Sequence, residues 1–420
     1  MEAGTTGHRP GLEAGTTGHR PGLEAGTTGH RPGLEAGTAG DRPGRFVAID
    51  WMRGLVMVLM AVDHASAVFN GGRVAHDSVY DLLPLGVHPN EWPLPADQFV
   101  TRWLSHLCAP TFLFLSGTSL ALSTARRSAA GAGAGEIDRH LCIRGLVLLG
   151  FEAGWLSLLP SAGAGQYTLY LQVLFAIGLS IIAMVPLRRL PPGWLAVIAL
   201  LWFSVGEAVT LGLAPPGESP GAAVTLTLAP GAGSRAGVLY PVVPWLAMML
   251  LGWAFGSVLR APRPAGRTPA QLCARAGALS LALFALVRGW NAYGNMALLR
   301  RDDSWVEWLH VSKYPPSLAF ASLELGVMAL CLAALFVWEG RIAQVRRGNP
   351  LLVLGQTALF FYLLHFPLLG VAGALLGLIG QAGLVTTWLG GIAVVAVLYP
   401  ACRAYRSYKS RHPDGLAQYV

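Results

Sequence analysis

The 420-residue chain is 53% hydrophobic and only 12% charged, with a mean hydropathy of +0.50. An ordinary soluble domain carries about 25% charged residues, so this composition excludes a soluble enzyme, a nucleic-acid reader and a secreted disulfide scaffold. The formal net charge of +8 instead indicates cationic loops on the cytoplasmic side of a membrane. The five cysteines are scattered without a CxxC pair, so we expect free thiols and no metal site.

The first 44 residues are predicted to be a disordered tail. The unit EAGTTGHRPGL occupies residues 2–12 and recurs at 13–23 and 24–34, before a shorter copy at 35–44. Glycine and proline in every unit prevent a continuous helix. The unit also has too little apolar surface to offset the entropy lost on ordering.

After Arg45 the apolar runs have the length of membrane-spanning helices, about 20 residues each. They predict an all-α, polytopic helix bundle of about ten spans over 45–402, with a C-terminal tail at 403–420. The predicted spans are 46–70, 99–124, 141–159, 167–186, 193–213, 238–259, 272–290, 316–338, 350–370 and 382–402. Arginines flank both ends of the domain and alternate loops. By the positive-inside rule both termini are cytoplasmic, in a multi-pass protein of the cell (plasma or inner) membrane.

Insertion of an ionisable residue at the membrane centre costs about 2.5–3.5 kcal/mol of free energy. Each such residue within a span is therefore expected to have a structural or functional role. In the predicted orientation most of them converge on the outer half of the membrane. They are Asp63, His64, Arg102, His106, Glu207, Arg288 and His365. Glu152 and Glu207 are interpreted as packing or loop partners. Arg53 is placed, alone among the lysines and arginines, deep in a span.

The first span carries a stripe of side chains on one helical face, within about 80° of each other. They are Asp50, Arg53, Met57, Met60 and His64. Arg53 and His64 are three turns apart, about 16 Å along the axis. This spacing suits an extended anionic cofactor held at its head by Arg53, with its reactive end delivered to His64 as a general base. Asp63 lies about 100° away on the helix and is expected to face another helix.

A purely structural interpretation stands beside this one. Asp50 and Arg53, at i and i+3, also fit a desolvated ion pair that locks the bundle. His64 also fits a hydrogen-bonded core histidine. His365, within FFYLLHF, also fits an interfacial residue. Glu324, about seven residues into the eighth span, fits either a proton relay or a structural carboxylate.

Five segments of the chain carry a family resemblance. They are RFVAIDWMRGLVMVLMAVDHA from Arg45, CAPTFLFLSGTSLAL (Cys108–Leu122), YPVVPWLAMMLLGWAFG (Tyr240–Gly256), VSKYPPSLAF (Val311–Phe320) and FFYLLH (Phe360–His365). These segments resemble the bacterial relatives of the heparan-alpha-glucosaminide N-acetyltransferase catalytic-domain family, over essentially all of 45–402. The Arg53-x10-His64 spacing is also similar to the Arg–His pattern of the wider transmembrane acyltransferase superfamily that modifies cell-surface glycans.

The resemblance implies a ten- or eleven-helix enzyme that moves an acetyl group from cytoplasmic acetyl-CoA to a sugar amine or hydroxyl on the outer side. In the eukaryotic family member the essential histidine follows the first helix, which makes His76 the competitor of His64. The N-terminal repeats have no counterpart in the family pattern.

The predicted site has three parts. His64 and Asp63 are the catalytic residues, and Arg53 and Asp50 bind acetyl-CoA. The acceptor pocket consists of Arg102, His106, Lys313, Tyr314, Glu324 and His365. The expected partners are the bilayer and a glycan or glycolipid acceptor, without nucleic acid, and a homodimer is left open. The alternative function is a proton-coupled small-solute transporter, since buried His, Asp and Glu also suit a proton relay.

Overall fold

Helices make up most of the computed structural model, which describes residues 45–74, 77–80, 93–158, 161, 167–233, 235–262, 267–342, 348–412, 415 and 419. The predicted N-terminal tail and His76 lie outside these residues. The helices are α1 (Val47–Phe69), α2 (Ala96–His106), α3 (Cys108–Ala129), α4 (Ala134–Phe151), α5 (Val173–Leu187), α6 (Pro192–Leu213), α7 (Ala222–Thr227), α8 (Val242–Arg260), α9 (Pro269–Trp290), α10 (Trp305–Leu309), α11 (Leu318–Arg341), α12 (Pro350–Gln356), α13 (Ala358–Leu376) and α14 (Leu384–Arg411). A π-helical turn, Glu152–Leu156, continues α4.

One small sheet lies among the connections. It contains β1 (Leu169–Leu171), β2 (Gly231–Ala232) and β3 (Ala236–Val238) in the order β1-β3-β2. Strand β1 runs parallel to β3, and β2 runs antiparallel to it. The sheet joins the connections that precede α5 and α8. Apart from this small sheet, the described fold is helical, as predicted.

Each of the ten predicted spans overlaps a helix. Within the described residues, eight helical segments are long and apolar enough to cross a membrane: α1, α2 with α3, α6, α8, α9, α11, α13 and α14. The apolar α5 is shorter, with 15 residues, and α4 with its π-helical turn covers the remaining span. The prediction of an all-α polytopic bundle is therefore confirmed.

The outward faces of the bundle are apolar. Leu279 on α9, Leu375 on α13 and Val385 on α14 are 72%, 81% and 75% exposed. Exposure of this much apolar surface is unfavourable in water but favourable in contact with lipid hydrocarbon. The exposed leucines and valines therefore mark the lipid-facing surface.

Two predicted spans are interrupted, and one interruption has a clear cause. The predicted helix at 99–124 is divided between α2, which ends at His106, and α3, which begins at Cys108. Pro110 has no N–H to donate to the His106 carbonyl, so one bond of the helical ladder is missing there, while Leu107 keeps a helical backbone with φ of −58° and ψ of −24°. The predicted helix at 350–370 is divided at Thr357, whose φ of −121° and ψ of 27° lie outside the helical region.

Helices α1 and α12 cross with their backbones in contact. A β-carbon at Gly54 would overlap the Leu351 carbonyl, and one at Gly355 would overlap the Asp50 carbonyl. Small residues permit this close approach between membrane helices. The crossing holds the α1 backbone at Asp50 and Arg53, which belong to the candidate site.

Replacing Gly54 by alanine is expected to destabilise the protein by about 1–3 kcal/mol, since overpacking forces the two backbones apart. The matched control is Gly150→Ala on α4, where a β-carbon meets nothing within 4 Å. There the higher helix propensity of alanine is expected to stabilise the protein by up to about 1 kcal/mol. Thermal unfolding midpoints in detergent measure both effects, and equal midpoints for the two variants would contradict the close crossing.

Candidate active site

A cleft of about 300 Å³ opens at one end of the bundle, with walls from α1, α3, α4, α5, α12, α13 and α14. Four cationic side chains and one carboxylate line it: Arg45, Arg53, Arg144, Lys409 and Asp50. Arg45 precedes α1 and Lys409 lies near the end of α14, so α1 begins and α14 ends on the same side of the bundle.

Asp50 and Arg53 form the predicted ion pair within this cleft. Asp50 accepts from Arg45 Nε at 2.8 Å and from Arg53 Nη1 at 3.3 Å. Arg53 Nη2 also donates to the Leu115 carbonyl at 3.0 Å and to the hydroxyl of Ser119, both on α3. The pair thus ties α1 to α3, and both of its residues also line the cleft.

Arg144 is a cationic residue of the cleft that the sequence did not single out. It is on α4, inside the predicted span 141–159, and lines the same cleft as Arg53. Within the described part of the chain its guanidinium has no hydrogen-bond or ion-pair partner. Its electrostatic neighbours include the like charges of Arg53 and Arg127. A cation among cations in a cleft creates a positive potential that attracts an anionic ligand.

Apolar and aromatic side chains also line the cleft, and one of them, Tyr362, lies beside two histidines. The wall of the cleft contains Met57 on α1 and Tyr362 on α13. The Tyr362 ring lies 6.4 Å from the His64 ring and 5.6 Å from the His365 ring, between centroids. The stripe predicted on α1 therefore runs from the cationic cleft toward His64.

His64 and His365 meet directly, although they are 301 residues apart in the chain. The distance between His64 Nδ1 and His365 Nε2 is 2.5 Å. The ring planes differ by 15° and the centroids are 4.8 Å apart. The distance between the ring centroids exceeds the distance between the two nitrogens by about the width of one ring. The rings therefore meet edge to edge, with a hydrogen bond between the two nitrogens that lies close to both ring planes.

The surroundings of His365 assign the tautomers. His365 Nδ1 lies 2.8 Å from the Tyr362 carbonyl and 3.1 Å from the Phe361 carbonyl. A carbonyl only accepts, so Nδ1 carries the proton and Nε2 of neutral His365 is an acceptor. His64 Nδ1 must then donate to it, which leaves a free lone pair on His64 Nε2. This is the tautomer that a general base requires.

Asp63, the second predicted catalytic residue, is held by arginines rather than by His64. Its carboxylate lies 2.9 Å from Arg73 Nη2 and 3.1 Å from Arg102 Nη1. Within the described residues it makes no hydrogen bond to His64. As expected from its position on the helix, Asp63 faces away from the His64 ring, and His365 is the group that orients that ring.

Arg102 also binds Asp77, which the sequence did not single out. Its Nη2 and Nε lie 2.5 Å and 2.8 Å from Asp77 Oδ2. His106 Nε2 is 3.2 Å from the same oxygen, at an ion-pair distance but without hydrogen-bond alignment. Burial alone would raise the pKa of Asp77, but the Arg102 guanidinium and His106 hold it well below its usual range. Asp77 is therefore a buried carboxylate that stays ionised.

The loop before α11 completes this cluster. The Asp77 carbonyl accepts from the backbone N–H of Lys313 at 2.9 Å and of Tyr314 at 3.3 Å. The Tyr314 hydroxyl lies 3.5 Å from Arg102 Nη2. Lys313 Nζ lies 5.3 Å from the centroid of the Tyr314 ring. Four of the predicted acceptor-pocket residues, Arg102, His106, Lys313 and Tyr314, are thus brought together.

Within the described residues, the other two predicted acceptor-pocket residues form no hydrogen bond or ion pair with this cluster. Glu324 is buried on α11 and interacts electrostatically with Lys313. Its Oε1 makes no hydrogen bond within the described structure. His365 lies against His64 instead. Glu207 accepts from the backbone N–H groups of residues 294 and 296 at 2.7 Å and 2.8 Å, the loop partnership expected for it.

Fold and site together define an integral membrane helix bundle with a cationic cleft and, beside it, a pair of hydrogen-bonded histidines. Residues 45–287, more than half of the chain, match the family model described as heparan-alpha-glucosaminide N-acetyltransferase, catalytic. The chain belongs to this family, and membership indicates a membrane acetyltransferase. No curated protein sequence matches the chain. The family match includes Arg53, His64 and Arg144 but ends before Tyr362 and His365.

Proposed function

We propose that the protein transfers an acetyl group from acetyl-CoA to a sugar amine or hydroxyl on the opposite side of the cell membrane. One observation carries the proposal. Tyr362 lines the cationic cleft at the start of α1, and its ring lies beside both rings of the histidine pair. An anionic donor bound at the mouth can therefore extend its reactive end toward His64.

The composition of the cleft fits acetyl-CoA. The side chains of Arg45, Arg53, Arg144 and Lys409 supply donors for phosphate groups, which arginine binds especially well. Leu148, Leu174, Ile177 and Leu359 form an apolar wall for the uncharged arm of the donor. The cleft would face the cytoplasm, where acetyl-CoA is available, and both chain termini would then be cytoplasmic.

His64 is the general base in this proposal. Its Nε2 lone pair takes the proton of the attacking amine or hydroxyl. The new C–N or C–O bond forms first, and the C–S bond then breaks as the thiolate leaves with the proton returned by His64. His365 positions His64 through the Nδ1–Nε2 hydrogen bond and fixes its tautomer, as an orienting group does for a catalytic histidine.

The acceptor would approach from the other end of α1. Asp63, Arg102, Lys313 and Tyr314 lie toward that end, and Asp77 joins them into one hydrogen-bonded network. Paired carboxylates and guanidinium groups can donate to and accept from the hydroxyl groups of a glycan or glycolipid. These residues are proposed to bind the acceptor, without taking part in bond making.

Replacing Arg144 by alanine is expected to weaken acetyl-CoA binding by about 10- to 100-fold, because a charge-assisted hydrogen bond contributes about 1.5–3 kcal/mol. The matched control is Arg139→Ala, which removes an exposed arginine of α4 that does not line the cleft. Isothermal titration of each detergent-solubilised variant with acetyl-CoA measures the difference. Equal affinities for the two variants would remove Arg144 from the donor site.

A proton-coupled transporter gives a different result in proteoliposomes. The proposed acetyltransferase consumes acetyl-CoA supplied on the Arg45 side and releases CoA in proportion to the acetylated acceptor. A proton-coupled transporter uses an imposed proton gradient to drive movement of its solute and leaves acetyl-CoA intact. Solute flux without CoA release would replace the proposed function with the transporter.

A further inference from the structure

Tyr362 occupies the point where the cleft meets the histidine pair. It lies on α13, three residues before His365, and lines the inner wall of the cleft. Its ring centroid lies within 6.4 Å of His64 and 5.6 Å of His365. The Tyr362 side chain therefore joins the wall of the cleft to the histidine pair.

The hydroxyl of Tyr362 has no hydrogen-bond partner within the described part of the chain. The buried hydroxyls of three other tyrosines do have partners: Tyr314 and Tyr240 lie 3.5 Å apart, and Tyr80 donates to the Ala214 carbonyl at 2.8 Å. Glu152 and Tyr314 interact with the Tyr362 phenol electrostatically, but neither forms a hydrogen bond with it. Tyr362 is part-buried and lines the cleft, so its hydroxyl is available to hydrogen-bond a ligand bound there.

We infer that the Tyr362 hydroxyl donates a hydrogen bond to the carbonyl oxygen of the thioester, and so stabilises the oxyanion that forms when the acceptor attacks. The inference rests on the proposed function and assigns a further catalytic residue to it. A preorganised donor aimed at the developing negative charge is a major source of catalysis in acyl transfer.

The proton and electron balance leaves Tyr362 unchanged through the reaction. The acceptor proton moves to His64 Nε2 as the C–N or C–O bond forms and the carbonyl electrons move onto oxygen. The oxyanion, hydrogen-bonded to Tyr362, then collapses and breaks the C–S bond. The leaving thiolate takes the proton from the His64 imidazolium, while the phenol keeps its own.

Infrared difference spectroscopy of bound [1-¹³C]acetyl-CoA tests this assignment without an acceptor. In the wild-type protein the thioester carbonyl band is expected at lower frequency than in a bound state without that hydrogen bond. In Tyr362→Phe it should move to higher frequency, with acetyl-CoA affinity retained. The control is Tyr405→Phe on α14, whose ring stacks on Phe360 away from the cleft lining. In turnover, Tyr362→Phe is expected to lower kcat about 10²- to 10³-fold and to leave KM for acetyl-CoA unchanged.

A carbonyl band that is the same in wild type and Tyr362→Phe would overturn the inference and leave the proposed function in place. If Tyr362→Phe fails to fold, 3-fluorotyrosine at position 362 serves instead, since a more acidic phenol donates a stronger hydrogen bond. That substitution should lower the carbonyl frequency further, and an unchanged band contradicts the assignment. If the wild-type protein does not bind acetyl-CoA at all, the proposed function fails together with the inference.

Discussion

Replacing His64 by glutamine is expected to lower the rate of acetyl transfer by about 10²- to 10⁴-fold, the contribution typical of a positioned general base. Glutamine retains a polar side chain that can hydrogen-bond His365 but cannot take the proton of an attacking nucleophile. Acetyl-CoA affinity should stay near the wild-type value, because the cationic residues that line the cleft are unchanged. CoA release and acetyl-CoA titration, measured on the same preparation, separate the two effects.

The control for this substitution is His412→Gln. His412 is exposed just after α14, where its ring stacks on Tyr408, and its loss should leave the rate unchanged. A His64→Gln protein that retains the wild-type unfolding midpoint and the wild-type rate would contradict the assignment of His64 as the base. The remaining candidate would then be His76, which the family resemblance offers as the alternative.

Replacing Asp77 by asparagine is expected to destabilise the protein by about 3–5 kcal/mol, the cost of breaking a buried ion pair and leaving one charge uncompensated. Asp77 is 2% exposed and binds Arg102 through two nitrogens. Because asparagine has the same shape as aspartate, the loss of stability measures the effect of removing the charge and not the effect of a cavity. Thermal and denaturant unfolding in detergent measure the change.

The matched control is Asp138→Asn. Asp138 pairs with Arg188 and Arg189 at a solvated position, where ion pairs contribute about 1 kcal/mol or less. A loss of stability for Asp77→Asn no larger than for Asp138→Asn would contradict the central place of the Asp77–Arg102 pair.

The contribution of Asp77 to the stability of the fold is expected to change with pH in a defined direction. Burial opposes ionisation, but the Arg102 guanidinium and His106 outweigh it and lower the pKa of Asp77 well below its usual range. A carboxyl whose pKa is lower in the folded state stabilises that state above its unfolded pKa of about 3.9. The stability gap between wild type and Asp77→Asn should therefore be constant from about pH 5 upward and narrow as the pH falls below about 4.

The parts of the site that lie on one helix could be predicted from the sequence. Spacing alone places Asp50, Arg53, Met57 and His64 on one face of α1, and in the structure this face leads from the cleft to the histidine pair. The same helical geometry turns Asp63 away from His64, toward Arg73 and Arg102. Within a helix, periodicity fixes side-chain directions whatever the surrounding fold.

The pairing of His64 with His365 could not be predicted, because it depends on how α1 packs against α13. No local pattern connects residues that are 301 positions apart. The same limit applies to Arg102 and Asp77, which come from a helix and a loop. Arg144 is a different case, because an arginine within a predicted span is itself a signal of function. That signal is hard to recognise in the sequence, because Arg144 stands close to the cationic residues that precede the span.

The helix interruptions can also be predicted in part. Pro110 stands near the start of α3, and its missing N–H explains why α2 ends at His106. Thr357 carries no comparable signal, since threonine is common within helices. Its non-helical backbone separates α12, which holds Asp50 through the close crossing at Gly355, from α13, which carries Tyr362 and His365.

A mass-spectrometric comparison of cell-envelope glycans and lipids tests the central claim most directly, because it detects the reaction whatever the acceptor is. Three matched strains are compared, which express the wild-type chain, His64→Gln at the same membrane level, or no copy of the chain. Transfer by His64 predicts an acetylated glycan or glycolipid that is present with the wild-type chain and missing in the other two strains. Identical acetylation in all three strains would contradict it.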